Sequence, residues 1–98
     1  MNQSKYITEQ LVTLPGWRME HHELCRDYVF DTFADAFSFM TEVAKVAETM
    51  NHHPTWTNTY NLVSVCLHTH SAERVTEKDL QLAEEMDEIF LPYAAAEA

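Results

Sequence analysis

The chain has 98 residues, enough for one domain around a single core, and 46% of them are apolar, the composition of a globular protein rather than a disordered one. A formal net charge of −10, with six Lys and Arg against sixteen Asp and Glu, excludes the basic stripe that nucleic-acid binding needs and disfavours an anionic membrane surface. The first residues lack the apolar centre of a signal peptide, and no apolar run is long enough to span a bilayer.

In chain order, residues 7–14 read as a short helix. Ile7, Leu11 and Leu14 share a face, and Pro15-Gly16 ends it. Residues 17–30 read as a hairpin. Trp17 and Met19 alternate with polar neighbours before a polar turn near His22 and Glu23, and Tyr28 and Phe30 do so after it. The clearest helix follows. Phe33, Phe37, Met40, Ala44 and Ala47 recur at helical spacing, widened by Val43 and Met50, and are expected to form its buried stripe. Thr32 is its N-cap, with Asp35 completing a near capping box. Asn51 suits a left-handed C-terminal position, and Pro54 stops the helix.

The run "TYNLVSVCLHTH" alternates. Val63, Val65, Leu67 and Thr69 form the expected core face. Tyr60, Leu62, Ser64, Cys66, His68 and His70 share the other, and its mixed character suggests cover by a partner subunit. It is either one long strand or a strand behind a short one. In the last helix Thr76 is the N-cap, Asp79 stands at N3, and Val75 staples to Leu80. Its stripe is Leu80, Ala83, Met86 and Phe90. The order helix, strand, strand, helix, one or two strands, helix is that of an α+β, two-layer domain with helices on one face of an antiparallel sheet.

Cys25 and Cys66 are too few for a disulfide framework and lack CxxC spacing, so a reduced cytoplasmic setting fits. Cys66 reads as a small apolar side chain. His21 and His22 read as a solvated turn. His68 and His70, at i, i+2 on a strand, are a recognised metal pair, but a zinc site needs a further ligand, so metal is the weaker reading. The pair His52-His53 is stronger. It sits in a loop after a rigid helix, Pro54 fixes the backbone beside it, and Glu48 stands one helical turn before His52, within reach to hold the imidazole. Trp56 and Tyr60 behind it suit either core or the flat wall of a pocket.

Glu48, three residues, His52-His53-Pro54, five residues, Tyr60, nine residues, His70, eight residues, Asp79: this string resembles the signature of the pterin-4a-carbinolamine dehydratases. "GWRMEHHELCRDYVF", "FADAFSFMTEVAKVAE", "HPTWTNTYNLVSVCLHTH" and "TEKDLQLA" resemble the family's segments in turn, so the likeness runs from Trp17 to about Phe90. The resemblance implies a four-stranded antiparallel sheet with three helices on one face (α-β-β-α-β-β-α), spanning residues 1–98 as a single domain. It implies loss of water from a 4a-hydroxytetrahydropterin to give quinonoid dihydropterin, with no metal and no organic cofactor. His52, His53 and His70 would be catalytic: His52 and His70 exchange protons, and His53 chiefly binds the pterin. Glu48 would tune the imidazoles, Trp56 wall the pocket, and Asp79 cap the last helix. Asn51 stands where the family often has Asp, and Arg74 where it more often has Gly in a turn; a positive φ there would strain Arg.

The resemblance also implies a homodimer or homotetramer and a link to a pterin-dependent aromatic amino acid hydroxylase. Two alternatives remain open. One is a protein-binding dimerisation cofactor for a transcription factor, as in vertebrate relatives. The other is a metalloprotein built on His68, His70 and the His pair.

Overall fold

The computed structural model describes residues 14–94. Four strands form one antiparallel sheet: β1 (Arg18–Glu20), β2 (Glu23–Val29), β3 (Thr55–Thr59) and β4 (Leu62–Leu67), in the order β1-β2-β4-β3. Helix α1 (Phe33–Met50) joins the two hairpins, and α2 (Glu77–Ala94) follows the sheet. The described residues therefore hold two helices where three were expected; the helix expected over residues 7–14 lies outside them, save for Leu14, which is not helical. The run from Thr59 holds one strand, β4, behind the short strand β3 that ends at Thr59.

Each hairpin turns in two residues. His21 and His22 both take positive φ, 52° and 66°, as a type I′ turn demands, and both are exposed. Tyr60 takes φ 52° in the second turn. Asn61 clamps the hairpins together: its side chain donates to the carbonyl of Phe30 at 2.8 Å, and Phe30 N–H donates back to the Asn61 carbonyl.

Alternation along β4 sends Val63, Val65 and Leu67 inward, all at most 1% exposed, against Leu24, Tyr28 and both helices. Tyr28, Phe30, Phe39 and Phe90 pack at its centre, tilted or edge to face. On α2 the buried stripe is the expected one, with Leu82 added. On α1 it is so only in part. Val43 and Ala47 are buried as expected, together with Ala36 and Phe39, whereas Phe33 and Phe37 are about half exposed and Ala44 faces solvent. Apolar residues surround much of this helix, so periodicity alone admits two overlapping stripes. Packing chose the one led by Phe39.

A polar knot ties α2 to the sheet. The Asp87 carboxylate accepts from Trp17 Nε1 at 3.0 Å, an Arg26 guanidinium nitrogen at 2.9 Å and the Tyr28 hydroxyl at 2.6 Å. Burial, then the bond to Asp87, pushes the Tyr28 hydroxyl far above its ordinary pKa. Arg26 passes so near Gly16 that a Cβ there would meet the guanidinium at 2.6 Å and push it from its place beside Asp87.

The cysteines depart from expectation. Cys25 of β2 and Cys66 of β4 lie directly opposite in the register, with Cα atoms 4.2 Å apart, and their sulfurs form a disulfide on the sheet face away from the helices. Cys66 is therefore not the free apolar side chain expected. Positions 41 apart gave no spacing signal; only the antiparallel register brings them together.

Candidate active site

The first arm of the site is the end of α1. Thr32 accepts from the Asp35 N–H at its start, and a Schellman motif closes it: Asn51 N–H bonds the Glu48 carbonyl and His52 N–H the Ala47 carbonyl. Asn51, at φ 52° and ψ 43°, supplies the left-handed turn. The backbone of His52 is thus held by the helix, and Pro54 leads directly into β3.

The second arm is the end of β4 and the loop into α2. Thr69 pairs with Arg74 as an isolated bridge, closing a tight turn that carries His70. The left-handed residue of that turn is Glu73, at φ 55°, not Arg74, so Arg74 carries no such strain. The rings of His68 and His70 meet edge to face at 4.9 Å.

The two arms border one open cleft of about 330 Å³, with His52, His53, His68 and His70 in its lining beside Thr55 and Lys78. Behind its lining lies a buried carboxylate. Asp79 is fully buried; its Oδ2 accepts from the Thr76 N–H at 2.9 Å and the Thr69 hydroxyl at 2.7 Å, and its Oδ1 lies 2.6 Å from His52 Nε2. The bond to Thr76 is the capping box read from the sequence. The bond to His52 was not foreseen, because 27 positions separate the pair. A carboxylate can only accept, so a hydrogen bond between the two calls for the His52 proton on Nε2 and leaves Nδ1 as the base.

Glu48 does not hold His52. Its carboxylate lies 3.0 Å from His53 Nε2, and both side chains are largely exposed. Trp56 does not line the cleft either. Alternation along β3 turns it opposite Val65 on the helix side of the sheet, partly buried against the core. Among the described residues no group of three or more His, Cys, Asp or Glu side chains could hold a metal ion, and no helix is long and apolar enough to cross a membrane.

Comparison with known proteins identifies the family. The family described as Pterin 4 alpha carbinolamine dehydratase matches residues 2–89. Among relatives named for that dehydratase, one from Prochlorococcus marinus (strain MIT 9312) is 42% identical, covering 86% of this chain and 88% of its own. One from Synechococcus sp. (strain WH7803) is 48% identical over 76% of this chain and 81% of its own, and one from Rhizobium meliloti (strain 1021) is 45% identical over 84% and 81%. A crystal structure from Brucella melitensis, described as a transcriptional coactivator/pterin dehydratase, superposes with a TM-score of 0.85 at 40% identity, covering 91% of this chain and 96% of that one. The chain belongs to the pterin-4a-carbinolamine dehydratase family, an enzyme family of the hydro-lyase class.

Proposed function

We propose that this chain removes water from a 4a-hydroxytetrahydropterin, giving the quinonoid dihydropterin, with imidazoles as general acid and base. The C4a–O bond breaks, the departing oxygen takes one proton to leave as water, and N5 gives one up. Hydroxide leaves poorly, so the acid matters most as that bond stretches, and imidazole is the side chain suited to both transfers near neutral pH. Each positioned group is worth roughly 10²–10⁴-fold.

The observation that carries this is the pair of arms meeting in one cleft, with His52 held by buried Asp79. His52, presenting Nδ1, and His70, on the facing arm, exchange the protons. His53, exposed and bonded to Glu48, binds the pterin. Trp56 supports β3 from behind rather than walling the pocket. The reaction needs no metal or organic cofactor, and it returns to a reductase a pterin spent by an aromatic amino acid hydroxylase. A homo-oligomer fits this role; the sheet face away from the helices, with partly buried Leu62 and Cys66, suits further cover. The test is the rate at which purified protein clears enzymatically generated 4a-hydroxytetrahydrobiopterin.

A second reading is a protein-binding cofactor. The half-exposed Phe33 and Phe37 rings on α1, 5.8 Å apart, favour it, as does the description of the Brucella melitensis relative as a coactivator. Loss of a captured transcription factor on Phe37→Ser, with dehydration unchanged, would separate the two activities.

A further inference from the structure

His52, on the first arm of the site, meets the Asp79 carboxylate of α2. Thr69 belongs to the other, yet its side chain ends on the same carboxylate. His68, Thr69 and His70 all border the cleft, but strand alternation turns the side chain of Thr69 inward, and only 6% of the residue is exposed. Its hydroxyl lies 2.7 Å from Asp79 Oδ2 and 2.7 Å from Thr76 Oγ1.

Proton counting fixes the direction of every bond in this chain. Ionised Asp79 only accepts, so the single hydroxyl proton of Thr69 goes to it. Thr76 must then donate its own hydroxyl proton to Thr69, and the Thr76 oxygen in turn accepts the N–H of Lys78 at 3.3 Å. The series runs from the first turn of α2 through Thr76 and Thr69 to Asp79, whose other oxygen faces His52. Every member acts in one direction, and such a chain polarises its bonds cooperatively.

The backbone of Thr69 does separate work. Its N–H donates to the Arg74 carbonyl at 3.0 Å, and its own carbonyl accepts from Ala72 at 3.1 Å. These bonds shape the turn that begins at His70. One residue thus ties the turn carrying His70 to the carboxylate that orients His52.

We infer that Thr69 is a positioning residue for the dehydration: its hydroxyl fixes the Asp79 carboxylate, and with it the Nε2–H tautomer of His52, while registering the His70 arm against that same carboxylate. The inference rests on the dehydratase reading. It does not place Thr69 in contact with the substrate. A hydroxyl is required, and valine, of nearly the same shape, cannot supply it. Without the donor, Asp79 Oδ2 keeps only the Thr76 N–H, and the carboxylate is free to turn away from His52.

The experiment compares wild type, Thr69→Val and Thr69→Ser, with folding checked by circular dichroism. Two readouts are taken: kcat and KM for 4a-hydroxytetrahydrobiopterin, and the His52 tautomer from ¹⁵N NMR of the imidazole at a pH where it is neutral. Thr69→Val is expected to lower kcat about tenfold, on the order of one lost charge-assisted hydrogen bond, with KM nearly unchanged and a mixed tautomer at His52. Thr69→Ser is expected to restore both. Should the valine variant not fold, Thr69→Cys, of similar size and a poor donor, carries the same expectations. Wild-type kcat and a single Nε2–H tautomer without the hydroxyl would overturn the inference. If wild type itself shows no dehydration, the functional reading fails, and the tautomer comparison still decides the role of Thr69.

Discussion

Oδ1 of Asp79 lies 2.6 Å from Nε2 of His52, joining the first turn of one helix to the loop after another. The carboxylate is fully buried, and the side chain of His52 is 11% exposed. The second carboxylate of the site, Glu48, meets His53 at 3.0 Å in solvent. Two acid–imidazole pairs of similar length therefore differ in surroundings, and surroundings decide what each is worth.

Asp79→Asn replaces an acceptor-only group by one that must also donate, leaving a mismatch with Thr69, Thr76 or His52. A kcat about 10²-fold lower is expected from stopped-flow dehydration assays, with a stability loss of about 3 kcal/mol by urea unfolding. Glu48→Gln breaks an exposed pair. It is expected to cost less than about 0.5 kcal/mol and to change KM more than kcat. Equal loss of kcat in the two variants would remove the distinction drawn between the pairs.

The Cys25–Cys66 bridge closes a separation of 41 positions between β2 and β4. A loop of this length is worth about 2–4 kcal/mol. A domain of this size then loses about 10 °C or more in Tm on reduction. Calorimetry with and without a phosphine reductant measures it, and Cys25→Ser/Cys66→Ser should melt at the reduced temperature under both conditions. A Tm indifferent to reductant would show that the bridge does not form in solution.

Tyr28 sets an alkaline limit. Its hydroxyl is fully buried and donates to Asp87, so its folded pKa lies well above the usual value near 10. The native state then holds a proton that the unfolded chain releases above about pH 10. Stability is intact below that pH and falls as pH rises beyond it. Tyrosinate absorbance should show Tyr28 ionising only as the protein unfolds. In Tyr28→Phe this contribution to the alkaline loss disappears, while stability at neutral pH drops through the missing bond to Asp87.

Much of this was legible in local sequence. The Thr32 cap, the left-handed Asn51, the box between Thr76 and Asp79 and the inward face of Val63, Val65, Leu67 and Thr69 are each set within a few residues, and the structure has them as read. What local sequence missed depends on register and packing. The His52–Asp79 bond, the cysteine bridge and the placing of Trp56 behind β3 follow from how strands pair. Glu48 was assigned to His52 by helical spacing, but the Schellman turn ends that spacing at Asn51 and brings His53 round instead. Phe33 and Phe37 fit a core stripe by spacing yet are half exposed, because nothing in a helix apolar on several sides says which side is covered.

The most direct test of the proposed chemistry follows loss of 4a-hydroxytetrahydrobiopterin absorbance in stopped flow, for wild type and for His52→Ala/His70→Ala, with folding verified by circular dichroism. Wild type is expected to accelerate dehydration well above the uncatalysed rate, and the folded double variant to return it to that rate. A folded double variant that dehydrates the substrate as fast as wild type would contradict the assignment of the two imidazoles.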